Sequence, residues 1–224
     1  MAKVTIIGGH GKVALLAEPM LVSKGHTVQA VIRSEDQSAD IEATGATPVV
    51  ADVQSLSIEE QADLYRRLGT EVLVWSAGAG GGTPERTYAV DRDAAVRSME
   101  AAKQAGIKRY IMVSYNGAGA DHGIEPEHSF YPYAQAKAEA DEHLRNSGLD
   151  FTILGPSALT LDPEGPISVG VANGDHQTSR ASVARAIAVT VDDDSTVGKA
   201  IPFTDGATDI AAALASAPQS LVLQ

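Results

Sequence analysis

An α/β fold built on a doubly wound, parallel sheet with helices on both faces is the architecture this sequence predicts. Three observations predict it. Short β-branched runs recur along the chain as continuous rather than alternating apolar stretches, helical patterns sit between them, and the first run passes directly into glycines and then into an apolar helix. Strands covered on both faces read as unbroken apolar runs. Strict β–α alternation in turn gives a parallel sheet whose ligands lie beyond the carboxyl ends of the strands, where the strand order reverses.

The runs that read as strands are residues 4–7, 27–32, 47–51, 71–75, 110–113 and 151–154. After the first, Val13, Leu16, Ala17, Met20 and Leu21 repeat at helical spacing, with Gly25 as a C-terminal cap. Pro19 inside this helix lacks an amide donor and predicts a bend. Further helices are expected at 57–68, 84–105 and 132–147, the last two stopped by Gly106 and Gly148. Residues 155–224 are less regular. A helix near 182–191, a short strand at 201–203, an Ala-rich helix near 208–217 and a solvated loop at Asp192, Asp193 and Asp194 are expected there. The whole chain reads as one domain, in which 155–224 forms a small C-terminal lobe over the substrate side.

Composition narrows the function classes. With 224 residues and 44% hydrophobic side chains the chain can bury a sizeable core without disulfides or a structural metal. A net charge of -12 argues against a nucleic-acid partner, because phosphate-backbone affinity rests on clustered Lys and Arg. The absence of cysteine removes thiolate chemistry and fits a reducing cytoplasm. No leader-like or membrane-spanning run is visible, so no membrane association is expected. Two copies could pair through the helices at 84–105 and 132–147, and monomer and homodimer both stay open.

The glycine segment carries the most chemistry. Ile7-Gly8-Gly9-His10-Gly11-Lys12-Val13-Ala14 puts Gly8, Gly11 and Ala14 at GxxGxxA spacing between a strand and a helix. Gly8 permits the tight turn, Gly11 lets backbone approach a pyrophosphate, and Ala14 lets helix and strand pack closely. Free amides and the positive helix end then favour an anion. Gly8, Gly9, His10, Gly11, Lys12 and Val13 are therefore the candidate pyrophosphate loop of a nicotinamide dinucleotide. Arg33 and Ser34 end the second strand, where an acidic residue would bond a ribose hydroxyl and an Arg would accommodate a 2′-phosphate, so NADP is expected over NAD. The plain alternative is an Arg33 that is only a solvated loop charge. By position, Asp52 and Val53 fall near the adenine, and Ser76, Ala77 and Gly78 beside the nicotinamide ribose.

Tyr133 and Lys137 lie four residues apart, which places them on one helical face. A phenol of ordinary pKa, about 10, is a poor catalyst at neutrality, and a neighbouring ammonium would move it toward the working range. Ser114, at the end of the fifth strand, is placed to orient a carbonyl and to stabilise developing negative charge. With the glycine loop, Val90-Asp91, Val113-Ser114, the Tyr133 to Lys137 pattern, residues 147–154 and residues 178–184, the chain resembles the atypical short-chain dehydrogenase/reductase superfamily, in its group of NAD(P)-binding epimerases and reductases. The resemblance implies a Rossmann-like fold, a Lys137 bonded to the nicotinamide ribose, and an Asp91 standing where most of the superfamily has a helix Asn. The sequence departs from the group's pattern at Leu154-Gly155-Pro156-Ser157, where an Arg-Pro-Gly turn is usual.

His122, Glu125, Glu127 and His128 lie close in sequence but lack the helical histidine spacing of a metal site, and no metal is expected. The loop at 121–129 is expected to border a small-molecule substrate pocket. Together these features predict an NADP-dependent oxidoreductase moving a hydride between the nicotinamide and a small carbonyl or alcohol. A non-catalytic NAD(P)-binding sensor and an NAD(P)-dependent epimerase or dehydratase are the alternatives, since fold alone does not choose among them.

Overall fold

The computed structural model describes residues 1–171, 174 and 176–219. β1 (Lys3–Ile7), β2 (Thr27–Ile32), β3 (Thr47–Val50), β4 (Val72–Trp75), β5 (Arg109–Val113) and β6 (Asp150–Pro156) alternate with helices α1 (Ala14–Ser23), α2 (Ser38–Ala43), α3 (Ile58–Leu68), α4 (Pro84–Thr87), α5 (Ala95–Ala105) and α6 (Tyr131–Arg145). The chain then adds β7 (Ala158–Thr160), β8 (Ile167–Val169), β9 (Gln177–Ser179), α7 (Arg180–Thr190), β10 (Lys199–Asp205) and α8 (Ile210–Ala215). The main sheet has eight strands in the order β3-β2-β1-β4-β5-β6-β10-β8, parallel except for β8, which runs antiparallel to β10. The order reverses between β1 and β4, and their diverging loops leave a crevice at the carboxyl edge.

Two cores sandwich the sheet. On one side Leu21, Ile41, Val183, Ile187 and Leu214 pack against Val4, Ile6 and Val74; on the other Tyr65, Met99, Ala102 and Leu144 pack against Ile7, Leu73, Trp75 and Tyr110. Local chemistry sets the helix ends. Ser57 and Glu60 form a reciprocal capping box at the start of α3, and Gly69 and Gly106 close α3 and α5 with φ of 62° and 80°. Among the described residues no helix is long and apolar enough to cross a membrane.

The structure adds detail to the sequence expectations and corrects some of them. The C-terminal part, expected as a small lobe within the one domain, is continuous with the body: β10 and β8 continue the main sheet and α7 packs on α1, leaving the β7–β9 pair and its loops beyond the strand ends. Asp192 is not simply solvated, since its Oδ2 accepts from Lys24 Nζ at 2.8 Å. The segment at 84–105 is helical throughout but loosens into a π-helical stretch, Tyr88–Ala94, between α4 and α5.

The pattern expected of α1 also fails in detail. Val13, Ala17 and Leu21 are buried, but Leu16 is 40% exposed, and the helix instead buries Glu18 completely. Glu18 meets the Thr44 hydroxyl beyond α2 at 2.9 Å, while its Oε1 has no partner among the described residues. Burial pushes this carboxyl from 4.5 up to about 7, the Thr44 bond opposing the shift. A pKa raised on folding makes stability fullest below the unfolded value and lowers it as pH rises through the folded one, here a loss of about 3 kcal/mol between about pH 4.5 and about pH 7. Glu18→Gln should therefore raise the urea midpoint at pH 8, by roughly 1–3 kcal/mol in stability, and change little at pH 4. Equal effects at both pH values would show that Glu18 is not a buried, titrating group.

Candidate functional site

Two cavities open along the carboxyl edge of the sheet. The first, about 310 Å³, lies over the strand-order switch and is lined by Gly8, His10 and Gly11 after β1, by Arg33 after β2, by Asp52 and Val53 after β3, and by Ser76, Ala77 and Gly78 after β4. The glycines exist because the loops touch. A Cβ at Gly8, whose φ is 82°, would stand 2.7 Å from the Ala77 Cα, and a Cβ at Gly9 would stand 2.6 Å from that of Ala30. At Gly11 it would meet the Gly8 carbonyl oxygen at 3.0 Å. Gly8 and Gly9 donate to the Val31 carbonyl and Gly11 donates to that of Gly8. The amides of Lys12, Val13 and Ala14 are left without a partner among the described residues, at the positive end of α1.

Arginines supply the charge. Arg33 and Arg86, the latter from α4, line the same cavity, are exposed, and form no side-chain hydrogen bond or ion pair among the described residues. Two unspent guanidiniums in a chain of net charge -12 make this cleft suited to an anionic ligand. Lys12 and Ser34 are exposed but do not line the cavity, Val13 is buried in the core, and Gly9 faces β2. The His10 imidazole is tethered to the Asp40 carboxylate of α2 at 2.7 Å.

The second cavity, about 710 Å³, is lined by Ser114, Tyr115, Asn116 and Gly117 after β5, by Phe130 and Tyr133 at the head of α6, by Asp121 and His122, and by residues 156–159, Val171, Gly174 and His176 of the C-terminal part. Tyr115, Phe130 and Tyr133 form a ring wall with centroids 5.2–5.5 Å apart. Gly155 is needed beside it: a Cβ there would approach the Tyr115 carbonyl oxygen to 3.0 Å, and the Asn116 amide donates to the Pro156 carbonyl at 2.8 Å. The last residues of β6, where an Arg-Pro-Gly turn is usual, stay in the strand and are shaped to hold the loop after β5. Of the loop residues weighed as metal ligands, His122 bonds Gln135 and the Ile124 amide, and His128 accepts from the Phe130 amide.

Behind these cavities lies a buried polar layer. Lys137, 1% exposed, lines neither cavity; its Nζ donates to the Val113 carbonyl at 2.8 Å and approaches Met112 Sδ at 3.8 Å. Asp91, in the π-helical stretch, accepts from the Ala79 amide at 3.0 Å, so it pins the loop after β4 from behind instead of facing a reactant. Burial raises its carboxyl, with the Lys137 ammonium pulling the other way. Ser114 Oγ donates to Asp141 Oδ2 at 2.6 Å. Asp141 is fully buried, and desolvation pushes its carboxyl from 3.8 up to about 6 against the Lys137 charge and the Ser114 bond. The expected lowering of the Tyr133 phenol by Lys137 is overturned. Burial, then the charges of Asp91 and Asp141, push it well above the ordinary value, because the ammonium is turned to Val113 and the phenol sits among rings.

Arg86, Asp141 and the rings of Tyr115 and Phe130 escaped the sequence expectations. Asp141 had a signal: it continues the Tyr133, Lys137 spacing by another four residues, on an Ala-rich helix otherwise poor in reasons for an inward acid. Arg86 had almost none, since its place in the cleft depends on how α4 folds back after Gly80, Gly81 and Gly82.

A sequence profile of NAD(P)H-binding proteins matches residues 8–194, starting at the first glycine of the cradle. The chain belongs to this NAD(P)H-binding family. The family member described here is 37% identical over 216 residues to the uncharacterized sugar epimerase YhfK of Bacillus subtilis, covering 95% of this chain and 98% of that one. Among solved structures it resembles a Bacillus halodurans protein provisionally assigned as an NAD-dependent epimerase/dehydratase, at 31% identity and a TM-score of 0.86 over 96% of this chain and 99% of the other. The oxidoreductase ylbE of Lactococcus lactis aligns at 27% identity and a TM-score of 0.83, covering 96% and 95%. The NAD(P)H-binding protein thus has the Rossmann-like fold, and its relatives carry both epimerase and oxidoreductase names.

Proposed function

We propose that this NAD(P)H-binding protein is an NADP-dependent oxidoreductase that moves a hydride between the nicotinamide and a small carbonyl or alcohol. One observation carries the proposal: the hydrogen-bonded neighbours β4 and β5 deliver their loops to two cavities on the same edge of the sheet, a glycine cradle with free arginines and a ring-walled space holding Ser114 and Tyr133. NADP supplies the hydride acceptor or donor when bound. Gly8, Gly11 and the free amides at the start of α1 would hold its pyrophosphate, and the cradle fits because its glycines pack too closely on Ala77, Ala30 and the Gly8 carbonyl to carry side chains, which leaves backbone amides at the cavity. Arg33 supports the choice of NADP, as an unpaired cation where NAD enzymes place an acid.

Tyr133 gives its proton to the substrate oxygen in the reductive direction. Its raised phenol keeps that proton across the neutral range, which suits an acid better than a base. Lys137 and Asp91 hold the strand end and the loop that separate the two cavities. The acidic, cysteine-free chain supports a small-molecule partner and a cytoplasmic setting.

Asp141 governs where the Ser114 hydroxyl points. While Asp141 is ionised the serine donates to it; once Asp141 is protonated, its carboxyl can donate to the serine oxygen and release the serine proton to the substrate. Reduction should therefore speed up as pH falls through about 6, by about fivefold for one hydrogen bond of roughly 1 kcal/mol. A pH–rate profile with a carbonyl substrate checks this. Asp141→Asn should flatten the limb near pH 6, and an unaltered limb would remove Asp141 from this role.

A further inference from the structure

Charge is segregated between the two cavities. The first carries both free arginines, whereas neither Lys nor Arg is among the described residues lining the second. Besides the phenols of Tyr115 and Tyr133, the ionisable side chains of the second are Asp121, His122 and His176, and the His122 ring is already engaged, its Nδ1 accepting the Ile124 amide proton. Arg180 of the C-terminal part is not among the lining residues, and its Nη1 donates to the carbonyls of Leu159 and Thr160 at 2.9 and 2.8 Å. In the sequence, residues 172, 173 and 175 are Ala, Asn and Asp, none of them a cation. A phosphorylated or nucleotide-linked sugar would enter this space without a counter-charge and would meet Asp121.

The rest of the lining favours a different guest. Tyr115, Phe130 and Tyr133 present a ring wall, and Phe130, Leu159 and Val171 remain 38%, 38% and 40% exposed although all are apolar. Exposed apolar side chains gathered on one concavity mark a surface made to be covered. Among the uncharged polar groups of the lining, which also include Asn116, Ser157 and the Tyr115 phenol, the Ser114 hydroxyl and the Tyr133 phenol are those that would hold one carbonyl oxygen.

Resting on the oxidoreductase reading above, we infer that the second cavity takes an uncharged, flat, conjugated carbonyl compound, held against the Tyr115–Phe130–Tyr133 wall, and rejects phosphorylated and nucleotide-linked sugars. In the reductive direction the hydride of NADPH goes to the carbonyl carbon, the oxygen takes the Tyr133 proton, solvent restores that proton, and the products are the alcohol and NADP⁺.

The test is calorimetric titration of the protein saturated with NADP⁺, which cannot turn over an aldehyde by reduction. The probes are methyl para-formylbenzoate, its free carboxylate, and uridine diphosphate glucose. The neutral ester should bind at least about tenfold more tightly than either anion, and Phe130→Ala should weaken it about fivefold while leaving NADP⁺ affinity in place. Uridine diphosphate glucose binding as tightly as the ester, or an ester affinity indifferent to Phe130→Ala, would overturn the assignment. A parallel assay with NADPH separates the two layers. Ester that binds as expected without NADPH oxidation would overturn the oxidoreductase reading and leave the ligand class standing; NADP⁺ reduced by uridine diphosphate glucose, through oxidation of one of its hydroxyls, with no NADPH oxidised by the ester would do the reverse.

Discussion

Tyr133→Phe should bind NADPH as the parent protein does and lose about a hundredfold to ten-thousandfold in carbonyl reduction, the contribution of one positioned proton donor. The substitution deletes an oxygen and keeps the ring, so the packing with Tyr115 and Phe130, at centroid separations of 5.5 and 5.2 Å, persists and no cavity opens. A large rate loss would then report lost chemistry, which calorimetry with NADPH and an unchanged Tm would confirm independently. A loss smaller than about threefold would mean that the proton comes from elsewhere. Lys137→Ala is a poorer probe. Its ammonium is buried on the Val113 carbonyl beside Met112, so truncation would leave an unpaired acceptor and a void in addition to any kinetic effect.

Arg33→Asp should cost NADPH about a hundredfold in affinity and NADH no more than severalfold. A charge-assisted bond to a phosphate is worth about 1.5–3 kcal/mol, and reversal adds repulsion, so about two decades is the natural scale. NADH lacks the second phosphate and should register only the altered rim of the cleft. The test is discriminating because Arg33 has no intramolecular partner among the described residues, so its removal leaves no protein group stranded. Equal losses for the two cofactors would place Arg33 outside any 2′-phosphate site.

The parts of this molecule that were legible in the sequence are those dictated locally. Unbroken apolar runs such as Val72–Trp75 announced buried parallel strands, and the spacing of Gly8, Gly11 and Ala14 announced a turn that must pass close to other backbone. Tertiary packing decided the rest. Leu16 follows the helical stripe yet is exposed and Glu18 breaks it yet is buried, because α7 and the Thr44 region cover α1 from directions that its own periodicity does not encode. The Tyr133 and Lys137 spacing put both on one face, but it gave no means of seeing that β5 would capture the ammonium through Val113. Nor could it show that Asp141, one turn further, would accept the hydrogen bond of the Ser114 hydroxyl. Gly155 shows the same limit: the sequence showed its departure from the group's Arg-Pro-Gly pattern without a reason, which became visible only with the Tyr115 carbonyl packed against it.

Hydride transfer itself is the central claim, and isotope transfer reads it directly. Protein loaded with NADPH deuterated on the transferring position of its dihydronicotinamide ring should convert methyl para-formylbenzoate to an alcohol carrying one deuterium on the carbinol carbon, with NADP⁺ formed in equal amount, and should do so far more slowly as Tyr133→Phe. Tight NADPH binding with no deuterium delivered to any uncharged carbonyl in a screen would contradict the account and mark the cleft as a site of binding without reduction.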